Sequence, residues 1–242
     1  MSLYRDVRRT LHPLRAAVDE RVHPMRRRNR IDDEKMRLLF ALALAADANC
    51  IDVGANYGAV LELFLTYAPA GKHVAYEPLP AVAAFLRAQF PAVEVREAAA
   101  ADAPGTASFC HVINDEGRSG LLRHHNYEKA PQIATIAVSV ETLDSLPRTY
   151  RPDVIKIDVE GAELKVITGA MRLIREHQPL IVFEHYKGGS DAYDAEPRHV
   201  HQLLCREAGM RIYDIDGVGP LSRAEMEERF YARSVWQFVA HR

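Results

Sequence analysis

The chain has 242 residues, 48% of them hydrophobic and 26% charged, with a formal net charge of −2. That length supports one substantial core and excludes two full domains, and the near-neutral balance gives no global attraction to nucleic acid or to an anionic membrane. The three cysteines, Cys50, Cys110 and Cys205, are odd in number and lack C-x-x-C spacing, which excludes a disulfide framework or zinc site and points to a reducing cytoplasm.

From Met1 to about Ala46 the pattern is helical, with Leu3, Val7, Leu11 and Leu14 at helix-compatible spacing and a second apolar cluster from Met36 to Leu44. The basic run Arg26, Arg27, Arg28 and Arg30 falls between the two helices. It reads either as a solvated connector or as an anchor for an anionic substrate or lipid headgroup. No apolar stretch follows Arg5, Arg8 and Arg9 that is long enough for a signal peptide, and none approaches the roughly 20 residues of a membrane span. We expect a helical extension over residues 1–47 and one α/β domain over residues 48–242.

Cys50 to Gly58 reads C-I-D-V-G-A-N-Y-G, an apolar strand breaking into a glycine-bounded turn. Asp52 lies near the strand's end, Gly54 permits a tight turn, and the helix from Gly58 opens with unpaired backbone NH groups. After a second apolar run comes Glu77, placed to accept hydrogen bonds from both hydroxyls of a ribose. A dinucleotide's pyrophosphate needs a second glycine where this chain has Asn56, so a cofactor without pyrophosphate, S-adenosylmethionine (SAM), fits better. The alternative is an ordinary strand-turn-helix whose glycines serve only the turn.

Beyond this loop strands and helices alternate. Strands are expected at Cys50 to Val53, His73 to Tyr76, Val93 to Arg96, Val154 to Ile157 and Leu180 to Phe183, and helices at Ala59 to Tyr67, Ala81 to Phe90, Glu163 to Glu176 and His199 to Ala208. This order implies a parallel sheet with right-handed crossovers. Thr106 to Ile113 and Ile136 to Val140 alternate like half-exposed strands, with Gly117, Arg118, Ser119 and Gly120 between them, and read as an inserted hairpin or lid. Within or beside it, His111, His124 and His125 are either surface residues or contacts for a substrate. Arg211 to Ile215 and Val235 to Ala240 read as an antiparallel edge.

Lys156 to Glu163 reads K-I-D-V-E-G-A-E. The strand delivers Asp158 to its carboxyl end, where ligands of open parallel sheets sit, and Gly161 turns the chain into a helix. Glu163 falls in that helix's first turn, where the helix dipole favours a carboxylate.

These two motifs in this order, with Y-E-P at Tyr76 to Pro78, A-A-A-D at Ala99 to Asp102 and F-E-H-Y at Phe183 to Tyr186, resemble the FkbM-type family of SAM-dependent methyltransferases. The resemblance covers about Asn49 to Tyr186. It implies a Rossmann-like, seven-stranded class I methyltransferase sheet with helices on both faces. It also implies that Asp52, Gly54, Asn56 and Gly58 surround the methionine part of SAM and Glu77 the ribose, that Ala99, Ala100 and Asp102 lie beside adenine, and that Ser119 adds a further cofactor contact. The family favours sugar hydroxyls as acceptors, in glycosides, polysaccharides or glycolipids, with polyketide hydroxyls as the alternative. Two rivals are a nucleotide-dependent oxidoreductase on the same sheet and a cofactor-binding module without turnover.

A hydroxyl is a poor nucleophile at neutral pH, so O-methylation calls for a base, a metal or both. Asp158 ends one strand and Glu184 with His185 the next, so the three are expected to converge on the acceptor. They would do so either as ligands of Mg2+, as in metal-dependent O-methyltransferases, or with His185 as base and Glu184 orienting it. On this reading residues 1–47 serve acceptor or homodimer contacts, with no nucleic-acid partner and no integral membrane segment.

Overall fold

The computed structural model describes residues 24–114, 116–122 and 132–242, and its chain divides into two compact units at Leu42/Ala43. In the first unit, α1 (Pro24–Ala43) is one helix of 20 residues. It corrects the expected connector, because Arg26 to Arg30 lie inside a helix instead of between two. The arginines then meet carboxylates one turn later, Arg28 with Asp32 at 2.9 Å and Arg30 with Glu34 at 2.6 Å, a spacing that stabilises a helix. The first expected helix, Leu3 to Leu14, and residues His124 and His125 fall outside the described residues.

The second unit begins β1 (Cys50–Val53), α2 (Ala59–Tyr67), β2 (Val74–Tyr76), α3 (Pro80–Gln89), β3 (Glu94–Arg96). A small second sheet follows, made of β4 (Ala99–Ala100), β5 (Gly105–Val112) and β6 (Ile133–Glu141). The chain then returns through β7 (Val154–Ile157), α4 (Glu163–Thr168), α5 (Met171–His177), β8 (Leu180–Glu184), α6 (Pro197–His201), β9 (Arg211–Asp214), α7 (Arg223–Ala232) and β10 (Gln237–His241). The main sheet has the order β3-β2-β1-β7-β8-β10-β9, with β10 antiparallel to both its neighbours. Seven strands and an antiparallel edge are as the sequence implies. The central strands, Cys50 to Val53 and Val154 to Ile157, are short and buried at every position, and apolar except for Asp52 and Lys156, as expected where helices cover both faces.

Two expected helices are interrupted. Glu163 to Glu176 splits into α4 and α5 at Gly169, whose backbone lies so close to the Ala101 carbonyl that a Cβ there would stand 2.0 Å from its oxygen. His199 to Ala208 becomes α6 followed by a wider π turn over Gln202–Glu207. Among the described residues, no helix is long and apolar enough to cross a membrane.

Strand order reverses between β1 and β7, which pair in register from Cys50↔Val154 to Val53↔Ile157. From β1 the chain winds outward through β2 and β3, and from β7 it winds the other way. The loops leaving these two strands therefore diverge and leave a crevice at their carboxyl ends. Gly54 makes the crevice's floor tight: its φ is +81°, and a Cβ would lie 1.8 Å from the Asp158 carbonyl oxygen. Gly54→Ala is expected to cost about 2–5 kcal/mol, the sum of the left-handed penalty and overpacking, measured as a fall in the urea unfolding midpoint.

Candidate cofactor cleft

The crevice holds about 560 Å³ of open space. Its walls come from the β1 loop (Gly54, Asn56), the β2 loop (Tyr76 to Leu79), the approach to β4 (Ala98 to Ala100), the hairpin (Phe109, Gly117, Ser119, Leu121) and the turn after β7 (Asp158, Val159, Glu160, Ala162). One side is apolar, because Leu79, Ala99 and Phe109 also pack into a small cluster with Val82 and Val138. The opposite side carries carboxylates.

Glu77 joins the first two walls. Its carboxylate is buried, with Oε2 accepting from the Asn56 NH and Oε1 from the Leu79 NH, both at 2.9 Å. A carboxylate has about four acceptor sites, and two backbone donors from different walls hold this one at the cleft's edge. Asn56 itself has a φ of 45°, a left-handed conformation that asparagine tolerates. It thus adopts a glycine-like backbone without the glycine's open space, and its Nδ2 reaches to within 3.2 Å of where a Cβ on Gly117 would be.

Of the residues expected around a cofactor, Gly54, Asn56, Glu77, Ala99, Ala100 and Ser119 line the cleft. Three do not. Gly58 sits beneath the loop against the Phe90 ring, where its φ of +85° opens α2. Asp102 is outside on the surface, paired with Lys165 at 3.3 Å. Asp52 is buried below the crevice floor, and its Oδ2 has no hydrogen-bond partner. Ser119, although at the wall, accepts at its Oγ from the Val112 NH at 3.0 Å.

In the sequence pattern Lys156 stands only as the first letter of K-I-D-V-E-G-A-E. Its ammonium is buried beneath the cleft and reaches Asp158 Oδ2 at 3.2 Å. The available signal was a lysine inside the otherwise apolar strand V-I-K-I, since lysine is almost never fully buried unless paired. Burial pulls its pKa down, but Asp158, Glu184 and Asp52 outweigh that and hold it above the ordinary lysine value. For Asp158, burial is outweighed by the lysine and by a hydrogen bond with Glu184, so its carboxyl sits below the usual range. Glu184 is pushed well above its usual value by burial and then by the Asp158 charge. The two carboxyls are therefore driven in opposite directions, Asp158 down and Glu184 up.

The expected convergence of Asp158, Glu184 and His185 is corrected on one member. Register carries Asp158 and Glu184 side by side, one step past the Ile157↔Phe183 pair. His185 follows Glu184 in extended chain, its NH donating to the Trp236 carbonyl at 2.7 Å, so its side chain takes the opposite face. There it is buried, with Nδ1 3.0 Å from Ser190 Oγ and its ring against Phe230 at 4.7 Å. Glu184 therefore does not orient His185. Nor does the arrangement fit Mg2+: Lys156 occupies the side of Asp158 where a cation would sit, and among the described residues no three His, Cys, Asp or Glu side chains are grouped to hold a metal ion. His111, on β5, is half-buried and is not among the residues lining the cleft.

The profile of the methyltransferase FkbM domain matches residues 52–212. Among solved structures, methyltransferase FkbM from Methylobacillus flagellatus KT aligns with a TM-score of 0.51 and 17% identity, over 82% of this chain and 44% of its own. This chain thus spans less than half the length of that protein. Cofactor-bound Rv0187 from MTB aligns with a TM-score of 0.47 and 18% identity over 85% of this chain and 78% of its own. For the plantazolicin methyltransferase BpumL in complex with SAH the values are 0.44, 11%, 92% and 88%. A search of curated proteins gives no significant match.

Asp52 makes the cleft's electrostatics measurable. Burial, with smaller contributions from Asp158 and Glu77 and an opposing one from Lys156, raises its pKa to about 7, against about 3.9 in an unfolded chain. The native state therefore binds more protons than the unfolded state over this interval, and Asp52 makes stability fall as pH rises from about 4 to 7. Asp52→Asn is expected to remove that slope and raise the unfolding midpoint at pH 8 relative to wild type, with little change at pH 4, read by urea titration at both pH values.

Proposed function

The chain belongs to the FkbM family of methyltransferases, and on that premise we propose that it uses SAM to methylate a hydroxyl group of a sugar. What supports SAM is Glu77, a buried carboxylate at the junction of two cleft walls, beside an apolar side suited to adenine and a loop that Asn56 closes to pyrophosphate. Bound SAM supplies a methyl group on a sulfonium, which an in-line nucleophile displaces. The protein's part is alignment and proton removal.

Asp158 is the group for that removal. It faces the cleft, its side chain is about a third exposed at 36%, and Lys156 keeps it ionised. With SAM and acceptor bound, Asp158 would take the proton that the acceptor hydroxyl loses as the methyl group leaves sulfur for its oxygen. Lys156 balances the Asp158 charge, and Glu184, whose pKa is pushed well above its usual value, leaves Asp158 as the acceptor. Glu160, at the same rim with a φ of 53°, adds a hydrogen-bond acceptor suited to a polyhydroxylated substrate. Residues 1–47 then serve acceptor or dimer contacts, since the cleft-lining residues lie after Asn49.

Mass-resolved transfer of labelled methyl from SAM to a panel of mono- and oligosaccharides tests this function, and no transfer to any member would remove the sugar assignment. By calorimetry the protein is expected to bind SAM in preference to NAD, and Glu77→Ala to weaken SAM binding by about 1.5–3 kcal/mol. Tight NAD binding without SAM binding would end the methyltransferase reading. With a productive acceptor, Asp158→Asn is expected to lower turnover about 10²- to 10⁴-fold, while a chelator leaves it unchanged. Loss of activity in chelator, restored by magnesium, would return the metal mechanism.

A further inference from the structure

Behind the turn that carries Asp158 lies a second polar group, closed off from the cleft. Glu163 is buried, and its Oε1 accepts from the Gly161 NH at 3.0 Å and the Val159 NH at 3.3 Å. Its Oε2 stands 3.8 Å from His185 Nδ1, close enough for attraction but too long for a hydrogen bond. His185 Nδ1 is within 3.0 Å of Ser190 Oγ, and Ser190 is itself buried. Three adjacent polar side chains are thus withdrawn from water, and a buried polar group is costly unless it is paired.

What they hold is an unfavourable piece of backbone. Glu160 and Gly161 have φ values of 53° and 105°, two consecutive residues in a region L side chains avoid. Gly161 also presses against the segment that carries Ser190: a Cβ there would lie 2.1 Å from the Gly189 carbonyl oxygen. The turn so constrained supplies Asp158, Val159, Glu160 and Ala162 to the cleft, and its Asp158 carbonyl is the surface on which Gly54 rests. Glu163 begins a helix, but its oxygen bonds backward to the turn instead of capping α4.

We infer that Glu163, backed by His185 and Ser190, is a positioning residue that fixes the left-handed Glu160–Gly161 turn and thereby the cofactor-facing wall after β7. This rests on the reading of the cleft as a SAM site. Its requirement is reach: an acceptor oxygen must stand at the end of a side chain of glutamate's length. Charge at this position is secondary.

Two conservative variants separate reach from charge. Glu163→Gln keeps length and an acceptor oxygen, whereas Glu163→Asp keeps the charge and withdraws the oxygen by one methylene. SAM affinity by calorimetry is expected to fall about tenfold or more in Glu163→Asp, as for one or two lost hydrogen bonds, and to stay within about threefold of wild type in Glu163→Gln. Amide exchange at Val159 and Gly161 is expected to quicken in the aspartate variant alone. Equal losses in both variants, or a larger loss in the glutamine one, would overturn the inference. So would a fall in unfolding midpoint with SAM affinity unchanged. If Glu163→Asp does not fold, Ser190→Ala takes its place, expected to quicken the same two amides and weaken SAM binding by a smaller factor; no change in either overturns the inference. Wild-type protein that binds no SAM would instead remove the cofactor reading on which the inference stands.

Discussion

The cleft depends on a contact that only a missing side chain permits. β1 and β7 are hydrogen-bonded neighbours whose connections leave in opposite directions, so their exit loops touch at the start and then diverge. Gly54 sits at that point of touch, with the Asp158 carbonyl in the place a Cβ would need. Everything that gives the crevice chemical character is fixed from there. The Gly54 loop continues to Asn56, whose NH is taken by Glu77, and the Asp158 strand continues into the left-handed turn held by Glu163. The two walls are therefore one backbone assembly, positioned by short main-chain contacts with side chains as braces.

The second constraint is electrostatic. A buried ammonium is unfavourable alone, and Lys156 is made tolerable by Asp158, Glu184 and Asp52 around it. Their protonation states are then no longer independent. Asp158, nearest the lysine and open to the cleft, is held below its usual pKa; Glu184 is pushed well above its own; Asp52, sealed under the floor, is left with a pKa near neutrality, at about 7. One strand residue thus helps set three carboxylates apart in acidity. A divalent cation competes poorly for such a set, because the position beside Asp158 already holds a positive charge.

Much of the fold was legible because its signals are local. The buried strands are short β-branched runs, Gly54 and Gly161 mark turns, and the alternation of strand and helix patterns dictates a parallel sheet. The expectations that change do so where partners outside the pattern come into play. Where the helix splits at Gly169, the glycine packs closely against the Ala101 carbonyl, nearly seventy residues away in the chain. The Arg26 to Arg30 run looks like a solvated connector until its partners one turn later, Asp32 and Glu34, are counted with it.

The same division runs through the site. Sequence by itself determined which residues stand at the carboxyl ends of β1, β2 and β7, because strand ends and turn glycines are written in consecutive residues; it therefore also determined Gly54, Asn56 and Glu77 as cleft candidates. Tertiary structure alone decided what the residues after β8 do. Glu184 and His185 are adjacent in sequence, yet alternation in extended chain sends one toward Asp158 and the other toward Glu163 and Ser190. Which of those faces is the cleft depends on how β8 lies beside β7 and on what α4 and α7 bring against it. Those are contacts between segments far apart in the chain, and no window of sequence contains them.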